Sequence, residues 1–138
     1  VRFGDPEAQV VLHRLTTDLA ELLAAAAAGD LSQASRPAAA ADACVTVVLA
    51  TEGYPAAPRT GDVVEGIAAA EATGATVFCA GVARGETGDL VTSGGRVLAV
   101  TGTGTTVAAA RDHAYLAASM ISWDGRHNRS DIALEASR

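Results

Sequence analysis

Apolar positions in the first thirty residues recur at helical spacing, whereas those between positions 43 and 101 gather in short blocks punctuated by glycine and proline. This change of period predicts helices first and strands afterwards. Asp5 can cap a helix whose first position is Pro6, a residue that loses nothing there because that amide has no intrahelical partner. The helix is expected to run to about Leu15 with Val10, Val11 and Leu15 on a narrow apolar face. Thr17 or Asp18 can start a second helix carrying Leu19, Leu22 and Leu23, and Gly29 ends it. Residues 32–42 contain Pro37 and no clear period, and they read as a connection.

Ala43 to Ala50 is rich in β-branched residues and reads as a strand buried on both faces, broken by Gly53, Pro55 and Pro58. Gly61 to Gly66 introduces a short helix, and Thr76 to Ala80 forms a second strand. Leu90–Thr92 and Arg96–Thr101 flank Ser93, Gly94 and Gly95, which predicts a hairpin between them and a sheet that is at least partly antiparallel. From Thr105 to about Ser122, Val107, Ala110, Ala114, Ala117, Ala118 and Ile121 recur at helical spacing, giving one amphipathic helix against that sheet. Trp123 is expected to seal its end. Beyond it, Arg126, His127, Asn128, Arg129 and Asp131 form a polar cluster closed by Ile132 and Leu134. The fold class that follows is α+β, a mostly antiparallel sheet with packed helices, preceded by a helical arm.

Composition narrows the partners. With 138 residues, 49% of them hydrophobic, the chain can bury one core. A net charge of −6 with no basic stripe argues against nucleic acid and against acidic membrane surfaces. No apolar run reaches the ~20 residues that span a bilayer, and no charged-then-apolar leader is visible, so the expected location is the cytoplasm. Cys44 and Cys79 sit in separate apolar runs and read as two buried, reduced thiols rather than a redox pair or a zinc site. His13, His113 and His127 lack metal-ligand spacing and read as core or exposed histidines.

The candidate chemistry lies at the ends. Arg2 offers a fork of donors suited to a phosphate, carboxylate or acyl phosphate, while Asp5 could hold an amine. Free amides near Pro6 would favour an anion, with Gly4 as a point of close backbone approach. The competing reading is that Arg2 and Asp5 pair with each other, or that Asp5 only caps the helix. Arg129 and Asp131 could face a cleft or could form an ion pair that docks the tail. Glu52 and Tyr54 read as turn-shaping residues. Separately, Val97–Val100 followed by Gly102-Thr103-Gly104 and a helix weakly suggests a phosphate-cradling turn of a small nucleotide-binding module. A non-catalytic structural domain is the third possibility.

Arg2-Phe3-Gly4-Asp5-Pro6-Glu7-Ala8-Gln9 resembles at every fixed position a signature of the glycinamide ribonucleotide synthetase family of ATP-grasp ligases. Three further segments follow in that family's order: Thr51–Pro55 resembles its Gly-Tyr-Pro turn, Gly94–Thr101 its hairpin, and Arg129-Ser130-Asp131-Ile132 its terminal segment. The resemblance implies a C–N ligase of purine synthesis in which glycine is activated through a glycyl phosphate and phosphoribosylamine attacks it, using ATP and magnesium. It implies residues 1–31 as the end of the ATP-grasp domain, 32–42 as a linker and 43–138 as a C-terminal α+β domain. It also implies a catalytic Arg2, substrate contacts at Arg2, Gly4, Asp5, Pro6, Arg129 and Asp131, and metal ligands lying before Val1. The chain opens inside a functional motif, so it reads as a fragment, inert alone, of a longer polypeptide. His13 and Ala133 depart from the family pattern, where proline and glycine are usual.

Overall fold

The computed structural model describes residues 2–138. Two helices come first, α1 (Glu7–Arg14) and α2 (Leu19–Ala27). The second starts as expected: the Asp18 carboxylate accepts from the amides of Ala20 and Glu21 at 2.8 and 3.3 Å. The first does not. Pro6 itself is the capping residue, with no side-chain cap, because the Asp5 side chain is engaged elsewhere. Neither helix buries a side chain fully, among the described residues.

Five strands and two more helices follow: β1 (Ala43–Ala50), α3 (Ile67–Glu71), β2 (Thr76–Cys79), β3 (Val82–Arg84), β4 (Leu90–Thr92), β5 (Arg96–Gly104) and α4 (Val107–Ser119). The larger sheet has the order β1-β5-β2 and both of its pairings are antiparallel. The core is one face of this sheet, Val45, Val47, Leu49, Leu98 and Val100, packed on Ala110, Ala114, Ala117 and Ala118 of α4 and on Ile121. Small residues on α4 let the helix axis approach closely. Gly102 completes that fit, since a Cβ there would lie 2.7 Å from the Ala110 carbonyl oxygen.

Two expectations about the sheet are corrected. The segment Ser93–Gly95 does not close a hairpin: β4 pairs with β3, and β5 pairs with β1 and β2. The backbone explains the difference, because Ser93 donates to Gly81 O at 2.8 Å and Gly81 donates to Arg96 O at 2.9 Å. Residues 93–95 therefore carry the chain from the small sheet to the large one. The Gly102-Thr103-Gly104 turn is likewise no turn. These residues lie within β5, opposite Val45, Cys44 and Ala43, so their backbone is committed to the ladder and to α4 rather than to a phosphate.

The opposite face of the sheet carries Thr46, Val48, Ala50, Ala99 and Thr101, with a buried 2.7 Å hydrogen bond between the Thr46 and Thr101 hydroxyls. The α1 arm covers part of this face, and His13 meets the Phe78 ring edge-on at 6.4 Å. The thiols differ from expectation: Cys44 is half-buried and Cys79, the last residue of the edge strand β2, is exposed. No helix of the described residues is long and apolar enough to cross a membrane.

Candidate functional site

A hollow of about 440 Å³ opens on the sheet face that α4 leaves free. It is lined by Pro6, Thr46, Val48, Ala50, Tyr54, Arg96, His127, Asn128, Arg129 and Ile132. Each segment that carried the resemblance contributes to its wall: Pro6, Tyr54, Arg96, and Arg129 with Ile132. The floor is apolar and comes from the alternate residues of β1. The rim is polar.

Arg96 reaches the rim because of an irregularity. The register of β1 and β5 shifts between Leu49 and Ala50, so that Ala50 faces Arg96 instead of Val97. An extra residue of this kind re-aims the side chains beyond it; Arg96 thereby joins the face of Ala50 instead of the core face of Leu49. Its guanidinium meets Asp5 at 3.0 Å (Nη2 to Oδ2), and Nη1 donates to the Asp5 carbonyl at 3.4 Å. Asp5 also accepts from Gln9 Nε2 at 3.0 Å, and the Gly4 amide donates to Glu7 Oε1 at 2.7 Å. The Arg2–Asp5 pair of the competing reading is not formed; Asp5 pairs with Arg96 instead.

Tyr54 is placed by two neighbours. Gly95 permits its ring to lie close, since a Cβ at that position would sit 2.9 Å from Cε2. Arg59 ties the same loop down through Glu52, Asp62 and Asp124 at 3.3, 2.5 and 2.7 Å. Hydrogen bonds to Asp124 and Asp62 hold the Arg59 guanidinium charged even more firmly than usual.

The tail crosses the site as a strap. His127 exchanges both backbone hydrogen bonds with Ala50, at 2.8 and 2.9 Å. Arg111 donates to the carbonyls of Ser130 and Ile132 at 2.7 and 3.0 Å, and its guanidinium stacks 4.5 Å from the Tyr115 ring centre. Arg129 grips Asp131 with two prongs, Nε to Oδ1 at 2.8 Å and Nη2 to Oδ2 at 2.6 Å. Hydrogen bonding to this guanidinium holds the Asp131 carboxyl below its ordinary value, and the same contact raises Arg129. Burial works the other way on Arg126, favouring its neutral form, while Arg126 Nη2 donates to Asn128 Oδ1 at 2.8 Å.

The predicted site residues are thus only partly brought together. Pro6 and Arg129 line the hollow, and Asp5 stands behind Arg96 at its edge. Arg2 is exposed and lines a separate hollow with Phe3, Glu7 and Val11. Asp131 faces away, beside Leu134 and Glu135. Ala133 has φ 57°, a left-handed conformation, which accounts for the family's preference for glycine there. Sequence reasoning missed Arg96, and it left Tyr54 to a turn and His127 unassigned. The available signal was that Tyr54 and Arg96 belong to resembling segments. Among the described residues, no three His, Cys, Asp or Glu side chains are grouped so as to hold a metal ion.

The model of the family described as "Phosphoribosylglycinamide synthetase, C domain" matches residues 44–135. A phosphoribosylamine–glycine ligase of Leifsonia xyli is 53% identical over 137 residues, covering 98% of this chain and 33% of its own length. The ligase of that name from Streptomyces coelicolor is 50% identical over 138 residues with the same coverage. The crystal structure of a phosphoribosylamine–glycine ligase from Thermotoga maritima superposes with a TM-score of 0.76 at 36% identity, over 96% of this chain and 32% of that one. The chain spans about a third of the length of the curated relatives it matches. On the match over residues 44–135 and on these relatives, the chain belongs to the phosphoribosylglycinamide synthetase family through its C domain.

Proposed function

We propose that this chain serves as the C-domain portion, with its helical arm, of a ligase that joins glycine to 5-phosphoribosylamine, giving glycinamide ribonucleotide, ADP and phosphate. The observation that carries the reading is the convergence of Pro6, Tyr54, Arg96, Arg129 and Ile132 on one hollow, although they are spread over more than a hundred residues of sequence. Residues 1–31 would be the end of the ATP-grasp domain, 32–42 a linker and 43–138 the C-terminal domain, in a cytoplasmic enzyme.

In this reading the chain's own residues position and orient. The Asp5 carboxylate, held by Arg96 and Gln9, offers a fixed negative charge for an amine. Pro6 and the floor residues Val48 and Ala50 give the neighbouring hollow its apolar lining. Arg2 would approach the reacting carboxylate or phosphoryl group as a charge-stabilising donor. Gly4 would let the backbone come close to the same ligand. ATP and magnesium would be held by the rest of the polypeptide: among the described residues no three His, Cys, Asp or Glu side chains are grouped so as to hold a metal ion, and Gly102–Gly104 is strand. For the tail a structural role is the better reading, because the Arg129–Asp131 pair satisfies itself.

The test is ADP formation by a polypeptide carrying this chain with the remaining two thirds of its relatives' length. Turnover that requires both glycine and phosphoribosylamine supports the reading. ADP release that ignores either substrate, or no turnover at all, overturns it. The chain alone is expected to be inert.

A further inference from the structure

We propose that Arg96 is a positioning residue of this site: it crosses from the sheet to the signature loop and fixes Asp5 in the orientation that receives substrate. The inference rests on the ligase reading above and goes beyond it, since Arg96 lies outside the signature, at the first position of a strand that otherwise serves the core.

Three observations carry it. First, the contact joins segments 91 residues apart, and it uses two donors on two different acceptors, the carboxylate Oδ2 and the backbone carbonyl of Asp5. A guanidinium that holds both a side chain and its own main chain restricts rotation of the carboxylate as well as its place. Second, the strand is built irregularly at the point that delivers this side chain. Without the register shift after Leu49, Val97 would face Ala50 and Arg96 would turn towards the core. Irregularities of this kind cluster beside active sites, where they re-aim a side chain. Third, Arg96 itself lines the hollow and remains about two-fifths exposed. A pair so wet contributes little to stability, which leaves orientation of Asp5 as its role. Gln9 alone, with a single contact to Oδ1, leaves the other oxygen free to turn.

The experiment compares Arg96→Gln and Arg96→Lys with the parent in the full-length polypeptide, measuring KM and kcat for glycine, phosphoribosylamine and ATP. Deuterium uptake of residues 3–9 is followed alongside. For Arg96→Gln the expected result is a fall in kcat/KM for glycine or phosphoribosylamine on the order of 10- to 100-fold. KM for ATP should stay within about twofold of the parent. Residues 3–9 should exchange faster, and Arg96→Lys should recover a large part of the loss. Unchanged kinetics in both variants, with an active parent, overturns the role of Arg96 and leaves the ligase reading standing. A uniform drop in kcat with every KM unchanged and a lowered melting temperature also overturns it, since that is the mark of lost folded enzyme. A parent without glycine- and phosphoribosylamine-dependent turnover overturns the ligase reading, and the positioning role with it.

Discussion

The hydroxyl of Tyr115 donates to the carbonyl of Arg129 at 2.7 Å and accepts from the amide of Ile132 at 3.1 Å, so one side chain of α4 closes the bend of the tail from both sides. Both partners flank the Arg129–Asp131 pair. The wall of the hollow at Arg129 and Ile132 is consequently set by a helix on the other side of the sheet. Tyr115→Phe keeps the ring under Arg111 but removes both bonds, and the Ile132 amide is left without its acceptor. The expected loss is about 1–2 kcal/mol in urea unfolding, at an unchanged m-value.

Asp131→Asn should lower the melting temperature at pH 7 only slightly, since the Arg129–Asp131 pair is well exposed, while leaving KM for glycine and phosphoribosylamine unaltered. The carboxyl is held below its ordinary value by Arg129. A depressed value means that the folded state binds its proton less readily than the unfolded state. The contribution is therefore complete above the ordinary carboxylate range and is lost as pH falls through the lowered value. Melting curves of parent and variant should differ slightly at pH 7 and converge as pH falls through that lowered value. A change in KM with an unchanged melting temperature would instead place Asp131 in the cleft.

Ala133→Gly should stabilise the tail. Ala133 is the one non-glycine residue with positive φ among the described residues. Relieving its Cβ is worth roughly 1–2 kcal/mol, offset by ~0.5–1 kcal/mol of extra chain entropy in the unfolded state. A gain of about 0.5–1 kcal/mol by denaturant titration is the expected outcome. A loss would mean that the Ala133 methyl, which packs against the core cluster, matters more than its backbone.

Arg2→Ala in the full-length ligase should reduce transition-state stabilisation by about 3 kcal/mol. Folding should be little changed, because Arg2 is exposed. Turnover equal to the parent removes Arg2 from the mechanism.

Elements with a strong period were legible in the sequence: β1 has its predicted bounds of Ala43–Ala50, α4 buries the predicted alanines, and Asp18 caps α2. Pairing was not legible. The dipeptide Gly94-Gly95 has the chemistry of a tight turn, yet Gly81 takes the hydrogen bond that a turn would have used, and that contact is made across a dozen residues. The strand β3 escaped notice because three residues between Gly81 and Gly85 carry no period of their own. For the site, the signature announced Asp5 and Pro6, but no local pattern announces a register shift, so Arg96 and its contact with Asp5 emerge only from the assembled sheet. Tyr54 and His127 are similar cases, ordinary turn and tail residues until β1 brings them to one wall.

The strand order β1-β5-β2 has a consequence for synthesis. Both outer strands are made before the central one, and neither touches the other. While a ribosome is still short of residue 96, β1 and β2 have no partner in the large sheet, and their hydrogen-bonding edges stand open together with the apolar face of β1. Only when Arg96–Gly104 leaves the exit tunnel can both ladders close, nearly at once, with α4 arriving next to cover them. Nascent chains that expose only residues before 96 outside the tunnel should therefore depend on chaperones far more than chains that expose everything through residue 122, a difference that ribosome-bound protease protection would register.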